Sequence, residues 1–373
     1  MEFLNFTWYY ILGFLFVLTV LVFVHELGHF WIARRNGVKV EVFSVGFGPE
    51  LIGRTDRFGT RWRLSAVPLG GYVKMFGEYD FDDSPEAEPM TEDQKAVSFH
   101  HKTVGQRSAI VFAGPAANFL FAIALLAFLF GAVGQPSLLA GVGSVQEGSA
   151  AEAAGILPGD QIIRINGEEV KLFQDLQAAI EPRPEERVSI ILLRESREIS
   201  LTATTGVREV TTETGTVLRK GLLGVAPDME LLEYSRYDPL TALWMGVERT
   251  FGMVGQILAY LGDIIAGDRN TDDLGGPLRI AQMSGDMAQG GLVQLMFFMA
   301  ALSINLGLIN LFPIPMLDGG HLVFYACEAV RGKPLNAKAQ EYGFRFGLAL
   351  VLLLMVFVTW NDLGHFGVFD LFK

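Results

Sequence analysis

The sequence predicts a multi-pass α-helical membrane protein with four transmembrane helices, a membrane-associated β element and an inserted extracytoplasmic α+β domain. Three observations predict it. Half of the 373 residues are hydrophobic, and 29 of them are Phe. The apolar residues gather in four runs, at about 7–33, 109–133, 292–311 and 346–360. A hydrocarbon core of roughly 30 Å takes about 20 such residues in a helix. Between the second and third runs, turn signals and alternating apolar residues replace the helical pattern.

The first helix is expected within 1–35. A cleaved signal peptide would start with a basic region, and this run has none. It carries Val24-His25-Glu26-Leu27-Gly28-His29. Helix positions i and i+4 share a face, so His25 and His29 can aim two imidazoles at one point. Two histidines in this spacing with a glutamate between them begin a catalytic zinc site. Ionisable residues inside lipid are costly, which makes this cluster a functional candidate.

Residues 36–77 read as a β region, cytoplasmic or membrane-associated. Arg61-Trp62-Arg63-Leu64 alternates, Pro68-Leu69-Gly70-Gly71 reads as a tight connection, and Tyr72-Val73-Lys74-Met75 as the returning strand. Residues 78–107 read as an acidic, solvated linker with an amphipathic segment. The second helix is expected at 108–134. It contains Gly114, Ala116 and Ala117, small residues that let helices approach closely, followed by Asn118.

The inserted domain is expected at 136–226. A Pro158-Gly159 turn leads into the alternating strand Gln161-Ile162-Ile163-Arg164-Ile165, which ends at Asn166-Gly167. Residues 173–180 form an amphipathic helical stretch. Residues 188–193 and 199–203 read as strands turned by Glu195-Ser196. Residues 237–290 read as an amphipathic helix and loop at the outer membrane surface.

The third helix is expected within 291–320 and ends in Asn310-Leu311-Phe312-Pro313-Ile314-Pro315-Met316-Leu317-Asp318-Gly319-Gly320. Two prolines stop the helix near the membrane. Non-helical backbone at that depth is tolerated where protein shields it or it lines water. Asp318 is then either a third metal ligand or a helix cap, and residue mechanics leave both open. The fourth helix is expected at 340–362.

Lys and Arg near the span ends set orientation. Arg34, Arg35 and Lys39 follow the first span, Lys102 and Arg107 precede the second, and Arg331, Lys333, Lys338 and Arg345 separate the third from the fourth. Both termini and the inserted domain are therefore expected outside the cytoplasm, with the histidine motif towards the cytoplasmic side. A net charge of −12 and the lack of a basic stripe exclude nucleic acid as partner. The single cysteine, Cys327, excludes an internal disulfide. His100, His101, His321 and His365 read as interfacial polar residues.

His25-Glu26-Leu27-Gly28-His29 in one span, with Asn310-x-x-Pro313-x-Pro315-x-Leu317-Asp318-Gly319 in a later one, resembles the site-2 protease family of intramembrane zinc metalloproteases. Gly114-Pro115-Ala116-Ala117-Asn118 looks like that family's GxxxN element. The inserted domain resembles a PDZ domain of the rearranged bacterial kind, with Gly221-Leu222-Leu223-Gly224-Val225 as its carboxylate-binding loop. The likeness is to the bacterial RseP/RasP-like group. Proteins of the Escherichia type carry two tandem PDZ domains, and this chain has room for one.

The resemblance implies one zinc ion per chain, held by His25, His29 and Asp318, with Glu26 as the acid/base that assists attack by zinc-activated water. It implies substrate contacts at Asn310, Asn118 and the Gly70, Gly71, Tyr72 stretch. It implies a bacterial inner-membrane endopeptidase performing regulated intramembrane proteolysis. The substrates would be single-span membrane proteins, such as anti-sigma factors already trimmed by a site-1 type protease, or remnant signal peptides. Membrane lipid is the expected surrounding. The alternative is a catalytically inactive, PDZ-bearing membrane adaptor. A transporter fits less well, because the spans show no repeat symmetry.

Overall fold

The computed structural model describes residues 2–78, 90–211, 217–269, 271 and 275–366. It divides into two compact units, Met1–Leu129 with Asp238–Lys373, and Phe130–Tyr237. Among the described residues, four helices are long and apolar enough to cross a membrane: Tyr9–Arg35, Val104–Val133, Leu292–Asn310 and Lys338–His365.

In the first unit, helix α1 (Glu2–Arg35) leads into two long strands, β1 (Val40–Thr55) and β2 (Arg61–Met75). The hairpin closes at residues 56–60. There the Asp56 carboxylate accepts from the N–H groups of Phe58 and Thr60, and Gly59 takes φ +86°. The expected connection at Pro68–Gly71 is therefore corrected: β2 runs through it, and the chain only bends there. Gly70 at φ +104°, with Gly46 and Gly48 at +88° and +87° in β1, supplies a backbone shape that side chains with a Cβ rarely adopt.

These bends fold two strands into four extended segments. Residues 42–45 face 71–74 on one side and 61–64 on the other, and 61–64 also face 52–55. The 71–75 segment is left as an outer edge. Phe43, buried, stacks on Trp62 at 4.3 Å and meets Phe30 of α1 edge-on at 5.5 Å, which seats the sheet against the helix.

Helices α2 (Glu92–Val97) and α3 (Val104–Phe128) each start at a capping box, Thr91 with Gln94 and Thr103 with Gln106. The box, rather than hydropathy, sets where α3 begins, so it starts five residues before the apolar run. A π-helical turn, Leu129–Val133, follows. Most of the acidic linker expected after residue 78 (79–89) lies outside the described residues.

The stretch expected as one surface helix and loop contains two helices. In α6 (Pro239–Ala266) the buried residues are Ala242, Gly246 and Thr250, spaced four apart. This stripe packs on α3, where a Cβ at Gly246 would stand 2.8 Å from the Ile123 carbonyl. Helix α7 (Pro277–Gln289) packs on α1, and the Tyr10 hydroxyl donates to Asp286 at 2.7 Å. Helices α8 (Leu292–Asn310), α9 (Asp318–Arg331) and α10 (Ala337–His365) complete the unit. The short α9 was not anticipated from sequence.

Much of α10 is apolar and exposed, including Leu352, Leu353, Leu354 and Val356. In water such a face would be a large liability; against hydrocarbon it costs little. In its first half, Gly347 fits under the Pro315 carbonyl. Near its end, fully buried Asp362 accepts from the N–H groups of Gly276, Leu278 and Arg279 at 2.8, 3.0 and 3.1 Å.

The second unit is built on a four-stranded antiparallel sheet. Its order is β6 (Glu168–Glu169), β5 (Gln161–Ile165), β7 (Arg187–Arg194), β8 (Arg197–Thr204). Asn166 and Gly167, and Glu195 and Ser196, take positive φ in their two-residue turns, as hairpins of this length require. Helix α5 spans Phe173–Ile180 and buries Phe173, Leu176 and Ile180 against Ile162, Val188, Ile190 and Leu192.

Shorter pairs surround this sheet: β3 (Gln135–Leu138) with β12 (Leu232–Ser235), β4 (Val142–Val145) with β11 (Val225–Pro227), and β9 (Gly206–Thr211) with β10 (Val217–Leu222). Between β4 and β5 lies the one-turn α4 (Ala150–Ala153).

Candidate metal centre

His25 and His29 lie one turn apart on α1, with their Nε2 atoms 3.2 Å from each other. Asp318 opens α9, and its Oδ2 lies 3.1 Å from His25 Nε2 and 3.5 Å from His29 Nε2. The N-cap of α9 is Leu317, which has no side-chain capping bond. The Asp318 carboxylate faces the histidines instead.

What lets the groups meet is close backbone packing. A Cβ at Gly114 of α3 would run into the His29 imidazole and stand 2.9 Å from His25 Cε1. A Cβ at Gly28 would strike the Ala113 carbonyl and stand 2.8 Å from the Ala117 Cβ. The α1–α3 crossing thus takes glycine on both sides. The loop before α9 is equally tight: Gly319 faces the carbonyls of Leu311 and Phe312, and Gly320 that of Ile314. Met316, at φ +106°, is a non-glycine residue in an unfavourable region. Cα-level crowding at these glycines leaves the turn little freedom to carry Asp318 elsewhere.

The residues fit a divalent ion. Three ligands, two imidazole nitrogens and a carboxylate oxygen, are the donor set of a catalytic zinc site. Ligands about 2.1 Å from a tetrahedral ion stand roughly 3.4 Å apart, and the three distances here are 3.1, 3.2 and 3.5 Å. Asp318 Oδ2 is buried with no hydrogen-bond donor. This is the only cluster of its kind among the described residues. His29 Nδ1 lies 2.9 Å from the Ile110 carbonyl. A carbonyl only accepts, so that nitrogen carries the proton and Nε2 keeps its lone pair.

A cavity of about 720 Å³ opens on these groups. Glu26 lines it, and its carboxylate accepts from the Val73 N–H on the outer edge of β2. Tyr72 and Asn310 line it too. The Asn310 amide nitrogen donates to Leu306 of its own helix at 3.0 Å, which leaves the carboxamide oxygen for other partners. A Cβ at Gly71 would stand 3.5 Å from Glu26 Cγ, whereas Gly70 backs onto the Phe47 ring. Asn118, expected beside substrate, is instead fully buried, with its amide 3.0 Å from His25 Nδ1.

The cavity also holds groups that sequence reading missed. Glu78, assigned to the linker, lines it and accepts from the Met75 N–H at 3.2 Å. Burial pushes its carboxyl up to about 7, against the pull of that bond. Arg107, counted as a surface cation, is buried in an ion pair with Glu328 at 2.6 Å, and its guanidinium lies 4.9 Å from the Tyr325 ring centroid. Burial raises the Tyr325 phenol above its ordinary value and holds the His321 imidazole below its own. The signal for Arg107 and Glu328 was weak, because a charged residue just outside an apolar run is ordinary.

In the second unit, the five residues expected to form an open loop do not act as a set. Leu223 is buried in the domain core, and the Gly221 N–H already donates to the Glu181 carbonyl. Gly224 takes φ +83°, and Val225 begins β11.

Comparisons with known proteins place this geometry. Residues 13–354 match the model of peptidase family M50. A relative from Agrobacterium fabrum, named as a zinc metalloprotease, is 44% identical over 360 residues, covering 95% of this chain and 96% of that one. Metalloprotease MmpA of Caulobacter vibrioides is 38% identical over 382 residues, covering 95% of each chain. Protease RseP of Yersinia pestis is 33% identical over 452 positions, covering 95% of this chain and 98% of that one. That alignment is longer than this chain, so RseP carries segments that this chain lacks. A solved PDZ domain of an SdrC-like protein from Listeria monocytogenes covers 27% of this chain and 94% of its own at 18% identity, with a TM-score of 0.19, too low to bear on the fold. On a family match that runs through nearly every element described above, the chain belongs to peptidase family M50, the site-2 protease family, and is a zinc metalloprotease.

Proposed function

We propose that this chain is an intramembrane zinc endopeptidase performing site-2 cleavage of single-span membrane proteins. The observation that carries the reading is the convergence of His25, His29 and Asp318 on one point beside Glu26, at the wall of a cavity between membrane-length helices. His25, His29 and Asp318 would hold the ion. A zinc ion held there lowers the pKa of water towards roughly 7 and polarises a carbonyl.

Glu26, next to a ligand on the same helix, takes the proton from water as the scissile carbonyl is attacked. It then delivers a proton to the departing amine nitrogen. Its bond to the Val73 N–H keeps its carboxylate at the cavity wall.

A substrate helix must unwind to expose a peptide bond, and unpaired backbone groups cost several kcal/mol each in lipid. The outer edge formed by residues 71–75, where Glu26 and Glu78 already take the Val73 and Met75 N–H groups, would offer its remaining backbone groups by strand addition. Gly71 and Tyr72 would take part directly, and Gly70 would shape the bend. Asn310 would present its amide to the opened backbone. The inserted domain, read as a PDZ domain, would restrict access by bulky external domains. The setting is a bacterial inner membrane, with both termini and the inserted domain outside and the metal centre towards the cytoplasm. Anti-sigma factors trimmed by an upstream protease and remnant signal peptides are the substrate class that this arrangement suits.

The test is cleavage of a single-span substrate lacking its external domain by wild type and Glu26→Gln, with zinc measured on both. We expect about one zinc in each protein and a loss of about 10²–10⁴-fold or more in cutting by the variant. Zinc in both with equal cutting would remove Glu26 from the chemistry. Zinc in both with no cutting by either, across several trimmed substrates, would favour the adaptor reading.

A further inference from the structure

Asn118 is fully buried in α3, between the metal-site helix and α8. Its backbone carbonyl accepts from the Ser303 hydroxyl at 2.8 Å, and a Cβ at Gly307 would stand 3.3 Å from the Asn118 Cβ, so α8 closes over it. Its carboxamide faces His25 Nδ1 at 3.0 Å through the nitrogen, while Oδ1 is buried with no hydrogen-bond partner. An orphaned buried acceptor is costly, about 1–3 kcal/mol, and calls for an explanation.

The two histidines differ in how their outer nitrogens are held. His29 has a carbonyl at Nδ1, which forces the proton there and leaves Nε2 as a ligand. His25 has the Asn118 carboxamide at Nδ1, a group that can donate or accept. For His25 Nε2 to face Asp318 Oδ2 and His29 Nε2 across a shared ion, Nδ1 must carry the proton and needs an acceptor. Oxygen and nitrogen of a carboxamide are nearly the same size, and a half-turn of the amide exchanges them. That half-turn puts the orphaned oxygen on Nδ1–H.

We propose that Asn118 is a positioning residue: its amide oxygen accepts from His25 Nδ1–H and so fixes the tautomer and ring orientation in which Nε2 binds zinc. The proposal rests on zinc binding by His25, His29 and Asp318. Asn118 plays for His25 the part that the Ile110 carbonyl plays for His29. It does so from a side chain, so it can be removed by mutation.

The test uses the full-length, detergent-solubilised protein. Zinc dissociation constants are measured by chelator competition for wild type, Asn118→Asp, Asn118→Leu and His25→Ala. Helix content by circular dichroism is the control for folding. Asn118→Leu, similar in volume but without an acceptor, should bind zinc about 10–100-fold more weakly. Asn118→Asp, which presents oxygen whichever way it turns, should stay within about threefold of wild type. Nitrogen-15 spectra of histidine-labelled, zinc-loaded wild type should show His25 protonated at Nδ1; this signal stands even where a variant folds poorly.

Asn118→Leu binding zinc as wild type does would overturn the proposal. So would Asn118→Asp failing alongside Asn118→Leu with helix content intact, or His25 protonated at Nε2. If His25→Ala binds zinc as tightly as wild type, the metal-site reading itself falls, and the proposal falls with it.

Discussion

At residue scale, the metal site depends as much on what is absent as on its ligands. Gly114 has no side chain, and the space is filled by the imidazoles of His29 and His25. Gly114→Ala must push those rings or the helix aside. Overpacking of this kind costs about 1–3 kcal/mol, and the atoms that would move first are the ligands. We expect Gly114→Ala to keep its helix content by circular dichroism and to lose zinc affinity by tenfold or more in chelator competition. Unchanged affinity would mean that the crossing has slack. Glu26, by contrast, touches cavity and strand edge without supporting either ligand, which is why its amide variant should lose chemistry and keep metal.

At the scale of elements, α10 illustrates how a membrane helix with little buried surface is held in place. Its apolar face is exposed over most of its length, so packing contributes little to its position. It is held by local contacts: the Gly347 fit under Pro315, the Phe344 ring against His321 and Phe324, the Asn361 amide on the Thr271 carbonyl, and Asp362, which accepts from three N–H groups at the start of α7. Asp362 acts as a cap for a helix to which it does not belong. Asp362→Ala would leave those donors unpaired, at a cost of about 1–3 kcal/mol. Faster hydrogen exchange at the start of α7 and the end of α10, with α1 and α3 unaffected, is the expected result. Uniformly faster exchange would show that α10 is not held locally.

At the scale of the whole molecule, the second unit is entered and left through one ladder, β3 with β12, in which Leu138 faces Leu232. This ladder defines where the domain can be removed without leaving strands unpaired. Replacing residues 139–231 by a two-residue Asn-Gly turn keeps the stem intact. If the domain limits access by size, this variant should cut untrimmed as well as trimmed substrate, read by gel shift of a tagged substrate in cells. Continued dependence on trimming would assign the filter to the membrane unit.

The legible part of the protein was what residue type and local order decide. Four long apolar stretches cannot be buried in a soluble core of this size, so the membrane helices are readable from composition. Spacing left Asp318 open between ligand and cap, but His25 and His29 were readable as neighbours on one helix face. So were the Asn166-Gly167 turn and helix α5, because hairpin chemistry and a 3.6-residue period act over a few residues. Pro68–Gly71 misled, because Pro and Gly mark a turn and a bend alike, and only the pairing of 71–74 with 42–45 distinguishes them. Helix α9 was missed because Pro313 and Pro315 before it, and Gly319 and Gly320 in its first turn, all argue locally for irregular chain. Asn118 reaches His25, and Glu328 reaches Arg107, through contacts between residues 93 and 221 positions apart. The sequence by itself determined which chemistry the chain carries and that it lives in a membrane, since both follow from side-chain type at fixed local spacing. Tertiary structure alone decided which groups surround that chemistry, because helix crossings and strand edges depend on how distant backbones fit together, and no local pattern records that fit.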